Sequence, residues 1–325
     1  MRFYCLRRRQ IRRGGVFLAL GLLAFAATIE LRTLERRLHG VRPGVLLEDR
    51  PVGGLLHREL VRVVEEMSFL YDRPPQDAMF FEETGEIVPE REGRAVDVAG
   101  TVEAVARAAP GTRVRLILRR VPPAVTKDYF VPLTSGPEDR PEVALTFNVA
   151  WGEESLPSIL DILKAAGVRA TFFFVGDWVK KFPDLTRAVA AAGHEIGNHG
   201  FYHGHPTQLG RAELVRMIQD NAALLKEVLG RPASRLFAPP YGEFDQRTVG
   251  IAAELGYRTV LWTVDTVDWK RPAPEVIANR VAQKVRNGAI VLMHPTAPTV
   301  AALPGIIKDL KARGFRLVTV GEMLR

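Results

Sequence analysis

The sequence predicts an α/β fold with a parallel sheet in its C-terminal part, preceded by a small α+β domain and an N-terminal apolar segment. The first observation is that seven short apolar runs alternate with six segments of helical periodicity from Val143 onward. The second is that most of these helical segments end in glycine, a common helix stop. Such alternation of strands and helices indicates a parallel sheet, closed into a barrel or left open and doubly wound.

The N-terminus, residues 1–37, joins a basic flank to an apolar run. It carries nine Arg and two Glu, and so accounts for most of the net charge of +8. Positive residues ahead of an apolar run keep its N-terminus in the cytoplasm. The uncharged stretch Gly14–Ile29 predicts a transmembrane anchor, or a signal peptide cleaved after Ala24-Phe25-Ala26. In either case we expect the folded part outside the cytoplasm, attached to the cell membrane or secreted.

The chain beyond residue 37 is close to neutral, so it gives no indication of nucleic acid as a partner. Cys5 is the only cysteine and lies on the cytoplasmic side of the predicted anchor. The exported part therefore has no cysteine with which to form a disulfide.

Residues 42–120 predict the small α+β domain. The run ELVRVVEEMSFLY has helical periodicity, and TVEAVARAA predicts a second helix. Four short runs predict strands: AMFF, EIVPE, AVDV and RVRLIL. Residues 121–140 are rich in proline, glycine and charge, and predict a linker to the domain of residues 141–325.

The C-terminal domain is predicted element by element. Its strands are VALTF, ATFFFVG, HEIG, LFAPP, RTVLWTV, AIVLMH and RLVTV. Its helices are SLPSILDILKAAG, PDLTRAVAAAG, ELVRMIQDNAALLKEVLG, FDQRTVGIAAELG, APEVIANRVAQKV and ALPGIIKDLKARG.

Polar and aromatic candidates follow the predicted strands at their carboxyl ends. They are Asn148, His199, His203, Pro240, Tyr241, Asp265, Asp268 and His294. Because the carboxyl ends of parallel strands meet at one edge, we expect these residues to converge on one site.

Three of the seven histidines, His199, His203 and His205, fall within EIGNHGFYHGHP. The spacing H-x-x-x-H brings two imidazoles within reach of one metal ion, although catalytic zinc sites use three protein ligands. His205 is a candidate third ligand or part of a surface loop. Solvated or hydrogen-bonded histidines remain the alternative, and we expect a structural role for His194, which opens a strand.

The stretches LTF, HGFYH, FAPPYG, DTVDW and LMH resemble, in order and spacing, the five motif regions of the polysaccharide deacetylase family (carbohydrate esterase family four). The resemblance covers residues 140–325 and implies a distorted (β/α) barrel of about seven strands. It also implies metal-dependent removal of acetyl groups from peptidoglycan or chitin-like glycans. Residues 42–120 resemble small modules associated with the cell wall.

The sequence departs from the family at three positions. The family motif T-F-D-D, which supplies the general base and a metal-binding acid, is here Thr146-Phe147-Asn148-Val149. The arginine that holds the base is replaced by Ala238. Since acid and cationic partner are both missing, neither charge is left unpaired. The stretch N-V-A-W-G resembles a subgroup of sporulation-associated deacetylase-like proteins.

The resemblance assigns a role to each remaining candidate. His199 and His203 would hold a divalent metal, zinc, and His294 would be the general acid. The backbone N–H of Tyr241 would face the oxyanion, and Trp269, Pro240 and Asp268 would contact substrate. Asp265 would belong to the charge network around the base and is a candidate substitute base. The alternatives are that Asp265 and Asp268 cap a loop, and that His294 is a polar residue at a strand end.

The function predicted is therefore an exported, metal-dependent deacetylase of N-acetylated polysaccharide, of low or altered activity. The alternative is a catalytically inactive, deacetylase-like envelope protein that binds glycan or wall partners. Loss of a general base costs roughly 10²–10⁴ in rate, which keeps both hypotheses open.

Overall fold

The computed structural model describes residues 25–325. The predicted anchor Gly14–Ile29 therefore lies mostly outside the described residues. Residues 25–39 are helical, and within the described part of the chain no helix is long and apolar enough to cross a membrane.

The secondary-structure elements are numbered in chain order. The strands are β1 Leu46–Leu47, β2 Arg50–Pro51, β3 Met79–Phe81, β4 Glu86–Val88, β5 Gly93–Val96, β6 Arg113–Val114, β7 Leu118–Val121, β8 Glu142–Val149, β9 Thr171–Phe174, β10 Glu195–Asn198, β11 Leu236–Phe237, β12 Arg258–Thr259, β13 Val264–Asp265, β14 Ala289–Met293 and β15 Arg316–Val318. The helices are α1 over 25–39, α2 His57–Tyr71, α3 Val98–Arg107, α4 Leu156–Ala166, α5 Gly176–Lys181, α6 Pro183–Ala191, α7 Arg211–Leu229, α8 Gln246–Glu254, α9 Pro274–Lys284, α10 Ala297–Ala312 and α11 Val320–Met323.

The chain divides into two compact units, each held together by contacts among its own residues. The first comprises the described residues up to Gln76 together with Arg91–Pro123, and the second comprises Asp77–Glu90 and Ala124–Arg325. In the first unit, α2 and α3 pack on each other around a core that includes Leu60, Val64 and Val102. Strands β5 and β7 form an antiparallel pair beside them.

The second unit is a distorted barrel of parallel strands, which confirms the predicted fold class. The sheet runs in the order β12-β11-β10-β9-β8-β14-β13, and β15 also pairs with β8. The predicted strand RTVLWTV is divided into β12 and β13, which lie at opposite ends of this order. The segment Val260–Thr263 joins them, so the chain itself closes the ring that the sheet leaves open.

Strand β8 separates two apolar layers by the alternation of its side chains. Val143, Leu145, Phe147 and Val149 belong to the large core that also contains residues of α4, α9 and α10. Ala144 belongs to a smaller cluster with Ala238 and Ile290, which fills the interior of the ring. The barrel is thus a packed core whose carboxyl end alone is left for a site.

A hairpin from within the predicted small domain belongs to the second unit. Strands β3 and β4 pair antiparallel, and Phe80 packs in a cluster with Phe130 and Ala253 of α8. Phe130 and Leu133, from the predicted linker, are both buried in this unit. The boundaries at residues 42, 120 and 140 stay a prediction.

Candidate functional site

A cavity of about 460 Å³ opens at the carboxyl ends of the barrel strands. Its volume falls within the range of roughly 300–1,000 Å³ that is typical of ligand sites. The lining residues are Asn148, Ala150, Trp151, His199, His203, Tyr241, Gly242, Trp262, Asp265, Trp269, Leu292 and His294. The structure therefore brings together candidates from five strand ends that lie far apart in sequence.

His199 is held rigidly at the end of β10. Its Nδ1 lies 2.6 Å from the backbone oxygen of Ala238, which can only accept, so Nδ1 carries the proton and donates it. Burial, followed by the neighbouring charge of His203, lowers the pKa of His199 to about 3. The imidazole is therefore neutral at physiological pH, and Nε2 is its lone-pair nitrogen.

His203 and His205 differ in their surroundings. The rings of His199 and His203 lie 5.2 Å apart, and burial and the charge of His294 lower the pKa of His203. His205 points elsewhere, with Nδ1 3.0 Å from the carboxylate of Glu243 and its ring stacked on Tyr241. His205 is thus part of a surface loop, as the alternative interpretation had it, and does not line the cavity.

Two buried asparagines hold the backbone of the histidine loop. Asn198 donates to the backbone oxygen of Ile218 in α7 and accepts from Gly200 N–H. Asn221 of α7 donates to the oxygen of Phe174 and to the side chain of Asn198. Neither asparagine was predicted from the sequence. The signal for Asn221 is a polar residue at a buried position of the amphipathic helix α7, whereas Asn198 is a buried polar residue at the end of β10.

Asn148 and Val149 lie on opposite sides of the sheet. Asn148 faces the cavity, and its side-chain amide makes no hydrogen bond to any other described residue. Val149 is fully buried in the core against the helices and does not line the cavity. Ala238 is 3% exposed and packs inside the barrel.

The family resemblance implies a bound metal ion, and the side chains at the site show whether they could bind one. His199 and His203 supply two imidazoles, whereas Val149, at the third position, has no donor atom. Among residues 25–325 no group of three or more His, Cys, Asp and Glu side chains is arranged to hold a metal ion. These residues therefore do not fit a catalytic zinc site, which uses three protein ligands.

His294 is oriented by a buried carboxylate. Its Nδ1 lies 2.8 Å from Asp268 Oδ1, and its backbone N–H donates to Asp268 Oδ2. The Thr299 hydroxyl also donates to Asp268, while the indole of Trp151 stacks on the imidazole at 5.7 Å. Asp268 is fully buried, so the prediction that it contacts substrate is wrong, because its oxygens are occupied beneath His294.

The loop after β13 is bent by residues in the left-handed region. The carboxylate of Asp265 accepts from the backbone N–H of Val267, whose φ is +54°. Asp265 thus caps its own loop while also lining the cavity. Trp269, further along the loop, is 51% exposed at the cavity wall.

The turn after β11 presents Tyr241 rather than Pro240. Tyr241 adopts φ +60° and ψ 0°, and its hydroxyl donates to the backbone oxygen of His203. Pro240 is buried and is absent from the cavity wall, which corrects its assignment as a substrate contact. A left-handed tyrosine is costly, and such strain is often found at functional sites.

Aromatic side chains form much of the cavity wall, and only some of them were predicted from the sequence. Three of the four tryptophans of the chain, Trp151, Trp262 and Trp269, line the cavity together with Tyr241. Trp151 belongs to the stretch N-V-A-W-G quoted above, whereas Trp262 lies inside a predicted strand. Its exposure to the cavity results from the break between β12 and β13.

The barrel and its site are shared with the polysaccharide deacetylases, as three comparisons with known proteins show. A family model for polysaccharide deacetylase matches residues 135–260. The uncharacterized protein YlxY of Bacillus subtilis is 35% identical over 272 residues, which cover 83% of each chain. A peptidoglycan-N-acetylglucosamine deacetylase of Bacillus cereus is 37% identical over 196 residues, covering 59% of this chain and 71% of that relative. The chain belongs to the polysaccharide deacetylase family.

One of the similar solved structures is described as a pseudoenzyme. A CE4 family pseudoenzyme from Bacillus anthracis is 35% identical and superposes with a TM-score of 0.59, covering 82% of this chain and 95% of that one. A mutant of the same protein is described as having restored enzymatic activity.

Proposed function

We propose that this chain binds N-acetylated polysaccharide, such as peptidoglycan, in the aromatic cavity without hydrolysing it efficiently. The observation that supports this most directly is the replacement of acidic side chains by Asn148 and Val149. An amide cannot take a proton from water as a carboxylate does. The donors for a catalytic metal are incomplete for the separate reason that Val149 is buried and apolar.

The groups that would grip a sugar are present in the same cavity. Aromatic side chains supply large rigid surfaces at small cost in conformational entropy. Between them lies the unpaired amide of Asn148, which can donate to and accept from an acetamido group. The proposal includes the predicted location, with the folded part outside the cytoplasm, where such glycans occur.

Tryptophan fluorescence provides a direct test, because three of the four indoles line the cavity. N-acetylglucosamine oligomers should change the emission of the full chain in a saturable way, and glucosamine oligomers should not. Trp269→Ala should weaken binding by about tenfold or more, as expected for an aromatic anchor. Phe69→Ala is the control, since Phe69 is 87% exposed on α2 of the first unit.

Equal binding of both oligomers, or wild-type affinity in Trp269→Ala, would contradict the proposal. Acetate released from N-acetylglucosamine oligomers is measured in parallel, and none is expected above the no-protein background.

The second candidate is a deacetylase of altered activity. It is favoured by the Asp268–His294 pair, which keeps an oriented imidazole at the cavity as a proton donor. Acetate release that is lost in His294→Gln would favour this candidate over the binding protein.

A further inference from the structure

The first unit contains a second cavity, of about 370 Å³, with a strongly basic lining. It is lined by Arg73, Pro74, Gln76, Arg91, Glu92 and Arg94. All of these residues belong to the first unit. The near-neutral charge of the folded part had concealed this concentration of arginine, because the residues come from two separated segments of sequence.

The backbone beneath the cavity is rigid. Arg73 and Arg94 exchange two backbone hydrogen bonds of 2.8 Å, and Gln76 and Arg91 exchange two of 2.9 Å. Gly93 lies so close to the facing segment that a Cβ there would collide with Pro75. The two segments therefore form a fixed frame that carries three guanidinium groups.

The arginines form a row of like charges across neighbouring strands. Arg73 is the cross-strand partner of Arg94, and Arg94 is in turn the partner of Arg120 on β7. Opposed residues of antiparallel strands share one face, and like charges placed there destabilise the sheet. An anion bound between them would relieve this repulsion.

The arginines are only partly neutralised by the protein. Glu92 pairs with Arg120, whereas Arg73, Arg91 and Arg94 have no carboxylate partner among the described residues. Arg73 and Arg94 donate instead to backbone oxygens at the end of α2, those of Leu70, Tyr71 and Asp72. These bonds fix their positions and leave further N–H groups on each guanidinium for a ligand.

We propose that this cavity is a binding site for a phosphate group. A single guanidinium fork satisfies both oxygens of a carboxylate, so three forks around one cavity exceed what a carboxylate needs. Phosphate offers more acceptor oxygens and a charge of up to −2, which suits several arginines at once. The proposal is independent of the sugar site.

The test is isothermal titration calorimetry of the full chain with inorganic phosphate at low ionic strength, with acetate as the carboxylate for comparison. The double variant R91Q/R94Q should weaken phosphate binding by at least about tenfold, the effect of one lost charge-assisted hydrogen bond. R119Q is the matched control, because Arg119 is opposite Ala95 and so lies on the other face of the same strand pair.

The single variant R91Q shows whether a loss of binding in the double variant comes from misfolding. The Arg91 side chain makes no hydrogen bond or ion pair with any described residue, so its replacement should leave the fold intact. It should also lower the affinity for phosphate. No phosphate binding, equal affinity for acetate, or the same loss in R119Q would overturn the proposal.

Vesicles distinguish the source of the phosphate once its binding is established. Phosphatidylglycerol vesicles are compared with phosphatidylcholine vesicles for wild type, R91Q/R94Q and R119Q. Weaker vesicle binding by R91Q/R94Q alone would identify a lipid headgroup, whereas equal vesicle binding by all three would identify a soluble phosphate compound.

Discussion

Two buried histidines, His194 and His199, stay neutral mainly because burial penalises the charged imidazole. His194 lies at the start of β10, where its Nδ1 accepts from the backbone N–H of Ala170. Burial, and then the charge of Arg169, lower its pKa from 6.5 to about 4. Only His199 faces the cavity, so His194 has the structural role expected from its position.

The shifted pKa of His194 predicts a loss of stability in acid. As pH falls below 6.5, His194 becomes protonated in the unfolded chain, whereas in the folded chain it stays neutral until about pH 4. The contribution of His194 to the free energy of unfolding is therefore full at pH 7 and about 2 kcal/mol smaller at pH 5. In His194→Asn the amide oxygen replaces Nδ1 as acceptor without titrating.

Urea unfolding at pH 7 and pH 5 compares His194→Asn with wild type. The variant should lose about 2 kcal/mol less between the two pH values. Parallel losses in both proteins would show that His194 does not carry the effect.

Three substitutions would rebuild the acidic set of the family. Asn148→Asp alone places a buried carboxylate beside no cation, so its pKa should rise and it should remain a poor base. Adding Ala238→Arg supplies the cation, and Val149→Asp supplies the missing metal-binding acid. We expect the triple variant to retain close to one zinc per chain after dialysis and to gain acetate release.

Wild type, Asn148→Asp and Ala238→Arg all lack the third metal ligand and should retain much less zinc, as measured by mass spectrometry of the eluted metal. The Val149 side chain packs in the core, so the carboxylate that Val149→Asp introduces in the triple variant must turn toward the cavity before it can bind zinc. A folded triple variant with no more zinc than wild type would refute this account of the three positions.

Residues at the site could be predicted by strand position but not by side-chain direction. Asn148, His199, Tyr241 and His294 were expected at carboxyl ends and do line the cavity. Asp268 was expected there too, but it lies underneath, because one turn of 3-10 helix over Asp268–Lys270 directs it inward. Sequence spacing does not specify such a local rotation.

At the scale of elements, the loop after β13 stores backbone strain. A β-branched residue in the left-handed region is disfavoured by roughly 1–2 kcal/mol, and Val267 has φ +54°. Val267→Gly should therefore be more stable than Val267→Ala by about 1 kcal/mol, since both lose the valine side chain but only alanine keeps the strain. Thermal unfolding of the two variants measures the difference, and an alanine variant of equal stability would argue against strain.

The broken strand shows where element prediction fails. Val260 and Trp262 favour β structure and Leu261 between them is apolar, so RTVLWTV was predicted as one strand. The structure ends β12 at Thr259 and begins β13 at Val264, because the chain must leave one edge of the sheet and join the other. The break between β12 and β13 is required to close the ring, and the β propensities of the residues involved do not reveal it. The other six predicted strands of the barrel each correspond to a single strand.

At the scale of the whole molecule, the second unit depends on a distant stretch of chain. The hairpin of β3 and β4 precedes 33 residues that belong to the first unit, Arg91–Pro123. A fragment Ala124–Arg325 would lack Phe80, which is 8% exposed and packs with Phe130 and Ala253. Removing such an aromatic side chain costs about 3–5 kcal/mol.

We therefore expect Ala124–Arg325 to unfold at lower urea than Asp77–Arg325, which retains the hairpin. Tryptophan emission follows the second unit alone, because all four tryptophans lie between residues 151 and 269. The same midpoint for both fragments would show that the hairpin does not stabilise the barrel.

The hydrogen bond from His199 to the backbone oxygen of Ala238 has an evolutionary consequence. Every amino acid at position 238 offers the same carbonyl, so exchange of its side chain leaves the imidazole where it was. Replacement of the family's arginine by alanine at position 238 therefore removes a group needed for catalysis but leaves the orientation of His199 unchanged. By the same reasoning, substitutions that restore the lost side chains would find His199 already oriented for binding a metal.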